Sequence, residues 1–141
     1  MDLRLADARG KLDLIEAQQE PQCWRSFIGG TGHPIVAKPD LYVRVALPGS
    51  AREYRAMIEL DLATEGPSTI RGKAERYLSH LRAGIELRDH GVHPRVIWAV
   101  PDDRRAAQIT EVIERMRSNG GLFAVCLAKD LLTFLASEAR S

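Results

Sequence analysis

Asp40, Glu59, Asp61 and Lys73 are the side chains whose types and spacing could do chemistry. Asp40 opens the run D-L-Y-V-R-V, and Glu59 and Asp61 close the run Y-R-A-M-I-E-L-D. Residues two apart on a strand point to the same face, so three carboxylates are expected to converge at one edge of a hairpin. Lys73 arrives from the segment R-G-K-A-E-R-Y that follows. Like charges gathered this closely are costly unless a cation sits among them or one carboxylate keeps its proton. The pattern therefore predicts a divalent metal held by Asp40, Glu59 and Asp61, with Lys73 beside it.

The elements that must position these groups can be read outward from them. Ile35 to Leu47 reads as one strand, with Leu41, Val43 and Val45 on one side and Asp40, Tyr42 and Arg44 on the other. Pro48-Gly49-Ser50 is a turn signal, and Tyr54 to Leu62 is the next strand. Gly66-Pro67-Ser68 begins the longest helix, with Ser68 or Thr64 as its expected cap. Ile70, Ala74, Tyr77, Leu78, Leu81 and Ile85 follow helical spacing and form its expected buried stripe. Arg71, Arg76, Arg82 and Arg88 make it the most basic helix of the chain.

Upstream, residues 2–19 read as a helix, with Leu5, Ala8, Leu12 and Ile15 on one stripe and Glu20-Pro21 as its stop. Cys23 to Ile28 is a strand, and Gly29-Gly30-Thr31-Gly32 a hairpin turn; the glycines lack the G-K-[ST] ending of a phosphate loop. Downstream, Arg95 to Val100 is a nearly continuous apolar run, expected of a strand covered on both faces. Pro101-Asp102-Asp103 reads as a helix start, with an aspartate as cap, and the helix is lined inside by Ile109, Val112, Ile113 and Met116. Leu122 to Leu127 is a last strand, and Leu131, Leu132 and Leu135 belong to a final helix. The order predicts an α/β sandwich with some parallel pairing late in the chain.

Composition narrows the class. At 141 residues and 45% hydrophobic, the chain predicts one domain with a core of ordinary size. A net charge of +1 excludes a strongly basic nucleic-acid binder, so a DNA partner would need a local basic face. Cys23 and Cys126 fit no disulfide framework or zinc-ligand spacing. The start M-D-L-R-L-A-D-A-R-G carries acids and has no long apolar run, which argues against a signal peptide. No stretch is long enough to span a membrane, so a cytoplasmic protein is expected.

Pro39-Asp40, an acid nineteen residues on at Glu59, and then a helix resemble the PD-(D/E)xK nuclease layout. That resemblance implies a restriction-endonuclease-like sandwich, a central mixed five-stranded sheet flanked by helices, holding Mg²⁺ (or Mn²⁺). The lysine expected two residues after the acid is Asp61 here, and Lys73 is its candidate replacement. A second resemblance covers nearly the whole chain. The runs E-P-Q-C-W-R, K-P-D-L-Y-V-R-V, I-E-L-D-L-A-T-E, K-A-E-R-Y-L and H-P-R-V-I-W-A-V-P-D-D-R-R-A look like the replication-relaxation proteins of actinobacterial plasmids, phages and conjugative elements. It implies a role in plasmid replication and DNA relaxation. The N-terminal winged-helix segment usual in that family is not found in this sequence, and 1–141 is expected to be a single nuclease-like domain.

Three readings follow. In the first, the chain is a metal-dependent DNA nickase. Asp40 and Glu59 hold the metal, Asp61 is a third ligand or the partner of Lys73, and Glu20 adds a further acid. Arg71, Arg76 and Tyr77 then touch the DNA backbone, where basic groups and hydroxyls position without reading sequence. In the second, the same fold grips DNA or a replication or mobilisation protein without cutting. In the third, apolar helix faces build a homodimer.

Overall fold

Antiparallel and parallel pairing are combined in one five-stranded sheet in the computed structural model, which describes residues 12–116 and 119–141. The strands are β1 (Asp13–Gln19), β2 (Arg25–Ile28), β3 (Pro34–Ala37), β4 (Leu41–Ala46), β5 (Tyr54–Leu60), β6 (Arg95–Val100) and β7 (Phe123–Leu127). The helices are α1 (Pro67–Ala83), α2 (Ile85–His90), α3 (Asp103–Glu114) and α4 (Leu131–Arg140). The sheet runs β1-β4-β5-β6-β7, while β2 and β3 form a separate two-stranded ribbon. β1 and β5 both pair antiparallel with β4; β6 pairs parallel with β5 and β7. Each parallel pair needs a crossover, which α1 and α2 supply between β5 and β6, and α3 between β6 and β7.

Alternation along the strands divides the core into two. Tyr42, Met57, Val96 and Trp98 pack with Ile70, Ala74 and Tyr77 of α1 and Ile109 and Ile113 of α3. Val43, Val45, Ile58 and Ile97 pack on the opposite face with Leu131 and Leu135 of α4. The β6 run R-V-I-W-A-V is apolar throughout because both its faces are covered. The expected mixed sheet flanked by helices is therefore present.

Three expectations about elements are corrected. Residues 13–19 form β1, not the end of a helix; the rest of that expected helix, residues 2–11, lies outside the described residues. D-L-I-E-A-Q-Q has good helix formers, but pairing with the edge of β4 overrides local propensity. The single strand expected over 35–47 is two strands in different sheets, parted at Lys38–Asp40. Helix α1 starts at Gly66 with no side-chain cap, so neither Ser68 nor Thr64 caps it. It ends at Gly84, whose φ of 71° is the left-handed conformation glycine adopts at little cost.

Other details follow the sequence closely. Gly29 N–H donates to His33 O at 2.9 Å, making the expected hairpin turn between β2 and β3. The Asp102 carboxylate accepts from Arg105 N–H at 2.8 Å and caps α3. Among the described residues, no helix is long and apolar enough to cross a membrane.

Candidate functional site

Asp40 sits where the chain leaves the β2–β3 ribbon and enters β4. Its backbone N–H donates to Ile58 O at 3.0 Å, and its carboxylate accepts the Leu60 N–H at 2.6 Å. It thereby tethers the carboxyl end of β5, one residue past Glu59. Glu59 points to the same face as Met57, beneath α1, and its side chain is only 6% exposed. Tyr77, one helical turn on from Lys73, donates its hydroxyl to Glu59 Oε1. The Lys73 Nζ lies 3.5 Å from Glu59 Oε2 and 2.8 Å from Glu65 Oε1. Asp40, Glu59 and Lys73 line one open cleft of about 200 Å³ together with Glu20, Lys38 and Arg76.

Burial dominates the electrostatics here. It pushes the Glu59 carboxyl up to about 7, against the Tyr77 hydrogen bond and the Lys73 ammonium, which pull it down. Partial burial works to lower the Lys73 pKa, but Glu65 and Glu59 outweigh it and hold the ammonium above its usual value. Hydrogen bonding to the neighbouring Asp40 carboxylate raises Glu20, and the indole of Trp24 works the other way. The Glu20 carboxyl is thus held above its ordinary value by its neighbour Asp40.

Asp61 does not join them. Its carboxylate accepts two hydrogen bonds from Arg105 of α3, at 2.7 Å to Nε and 2.9 Å to Nη2. Their side chains are 2% and 8% exposed, a closed bidentate pair. The expectation of three carboxylates converging at the hairpin edge is corrected on this point, as is the pairing of Asp61 with Lys73. The alternation was right, but a cation arriving 44 residues later in sequence takes Asp61. Among the described residues, no three His, Cys, Asp or Glu side chains close around one point as a ready-made metal cage.

The expected DNA contacts divide in the same way. Arg76 lines the cleft and is exposed. Arg71 is exposed but lies outside the cleft lining, pairing along the helix with Glu75 at 3.2 Å. Tyr77 is 2% exposed and its hydroxyl is committed to Glu59, so it supports the site from beneath rather than facing a backbone. Sequence reasoning missed Glu65, Arg105, Lys38 and Trp24. Only Lys38 carried a signal, its place beside Pro39-Asp40.

The ribbon that carries Lys38 is held firmly. Arg25 of β2 reaches the buried Glu86 of α2 at 3.1 Å and lies 4.8 Å over the Tyr42 ring. Cys23 Sγ donates to Pro39 O at 3.1 Å, next to Asp40.

No curated protein and no solved structure matches the chain. The sequence profile described as Replication-relaxation matches residues 2–96, a span that contains every residue lining the cleft. The chain belongs to the replication-relaxation family.

Proposed function

We propose that this chain acts on DNA in plasmid or phage replication or relaxation, and that the cleft is a metal-dependent nicking site on a restriction-endonuclease-like (PD-(D/E)xK) fold. One observation carries the reading: Asp40, at the entry to β4, and the buried Glu59 of the adjacent β5 share a cleft with Lys73. Two antiparallel pairs followed by parallel strands, with a helix crossing behind the second acid, support the fold assignment.

The donors suit magnesium or manganese. Both are hard cations bound through carboxylate oxygens, and magnesium keeps several waters and needs only one or two carboxylates. Asp40 and Glu59 would hold the ion, with Glu20 at the rim, and Asp61 keeps its bond to Arg105. When bound, the metal would supply a water of lowered pKa and charge to offset that of the phosphate. Glu59 must lose its proton to serve, and Tyr77 and Lys73 are what favour its charged form. Lys73 orients the attacking water or offsets developing negative charge on the phosphate. Arg76 and Lys38 hold the DNA backbone at the rim.

A second reading is a DNA- or replication-protein-binding module on the same fold, without cleavage. The short Lys73–Glu65 pair favours it, because that lysine is held closer to Glu65 than to Glu59. Relaxation of a supercoiled plasmid in Mg²⁺, compared with Asp40→Ala and Glu59→Ala, separates the two.

A further inference from the structure

Trp24 is 37% exposed, although the other tryptophan, Trp98, is 1% exposed. It directly precedes β2, and Lys38 directly follows β3. Extending the Arg25–Ala37 register by one residue sets Trp24 opposite Lys38 at the base of the ribbon. The Lys38 Nζ lies 4.8 Å from the centroid of the Trp24 ring, and Lys38 also lines the cleft. Trp24 N–H donates to Pro21 O at 3.0 Å, and its neighbour Cys23 is buried and bonded to Pro39 O. The indole is therefore an anchored, partly open aromatic surface against Lys38, a residue of the cleft lining, which also includes Arg76.

An exposed aromatic on a fixed backbone beside cationic groups matches the chemistry of an unpaired nucleotide. Every base has a π-face that stacks on an aromatic ring, while ammonium and guanidinium groups track the phosphates. A paired base in an intact duplex has its faces covered by its neighbours and cannot offer one. We infer that Trp24 is a stacking platform for an unpaired DNA base next to the phosphate held in the cleft, so that the preferred substrate is single-stranded or locally opened DNA. The inference rests on reading the cleft as a DNA-phosphate site and adds the state of the strand it takes.

The test is equilibrium binding of 5′-labelled oligonucleotides in chelator, comparing a single DNA strand, a duplex with an unpaired overhang, a blunt duplex and a single RNA strand. The wild type is expected to bind the unpaired DNA forms most tightly. Trp24→Ala should weaken them by roughly 5- to 150-fold while leaving the blunt duplex unchanged, and Trp24→Phe should keep most of the affinity. Arg76→Ala should weaken all forms alike and reduce the salt dependence. The inference is overturned if folded Trp24→Ala binds the unpaired strand as wild type does, if the blunt duplex is preferred, or if RNA is. Because binding is read without metal, loss of plasmid nicking with stacking intact sinks only the metal reading. Nicking that survives in a protein indifferent to Trp24→Ala sinks only this one.

Discussion

Tyr77 of α1 donates its hydroxyl to the Glu59 carboxylate at the end of β5, inside the layer that joins helix to sheet. This contact makes Glu59 both a structural and a chemical group. It is buried with few partners, so its ionisation is coupled to folding and to any cation that enters the cleft.

The pH dependence follows from that coupling. Between about 4.5, the ordinary value, and about 7, folded Glu59 keeps a proton that the unfolded chain has lost. Its contribution to stability is therefore fully present below that window and is lost as pH rises through it. The integrated loss is on the order of 3 kcal/mol. Glu59→Gln should flatten this part of the stability profile, measured by denaturant unfolding from pH 4 to 8 in buffers without metal. Mg²⁺ binding near pH 6 should release close to one proton, and little above pH 8, in calorimetry with buffers of different ionisation enthalpy.

The Asp61–Arg105 pair predicts a stability effect without a metal effect. Asp61→Asn leaves a buried guanidinium without its counter-charge and should cost about 3 kcal/mol. Replacing both partners by apolar residues of similar size should recover much of this. Mg²⁺ affinity, measured on folded Asp61→Asn, should match that of wild type.

Lys73 should separate chemistry from binding. Lys73→Gln removes a cation beside Glu59, so above pH 8 Mg²⁺ affinity should not fall. The nicking rate should fall by about 100-fold or more if the ammonium offsets charge in the transition state. Single-turnover cleavage alongside metal titration reads both.

A stabilising variant is available at the uncapped start of α1. Gly66 has φ −82° and ψ 172°, angles any residue adopts, and a Cβ there would meet nothing within 4 Å. Gly66→Ser should add about 0.5–1 kcal/mol, by capping a free helix N–H and by restricting the unfolded chain. Thermal unfolding measures it.

The sheet's centre was legible because β4, β5 and β6 carry their own signals: alternation in L-Y-V-R-V, a continuous apolar run in R-V-I-W-A-V, and turn residues between. Pro101-Asp102-Asp103 announced the start of α3, and the structure assigns the cap to Asp102. β1 was not legible, since Leu12 and Ile15 fit a helical stripe and only the partner strand decides; Leu12 is 2% and Ile15 45% exposed. Asp40, Glu59 and Lys73, which share the cleft, were singled out by local pattern. The Asp61–Arg105 pair was not, because period-two alternation assigns a face but cannot name a partner from a distant helix. Trp24 was missed for a similar reason: its significance comes from Lys38, across a ribbon whose register the sequence does not state.

The most direct test of the metal site is the fate of supercoiled plasmid incubated with the purified chain and Mg²⁺ or Mn²⁺. Open circles from wild type are expected, absent in Asp40→Ala and Glu59→Ala proteins that remain folded, and abolished by chelator. Plasmid left supercoiled by the wild type, or nicked equally by both variants, would contradict a catalytic Asp40–Glu59 cleft.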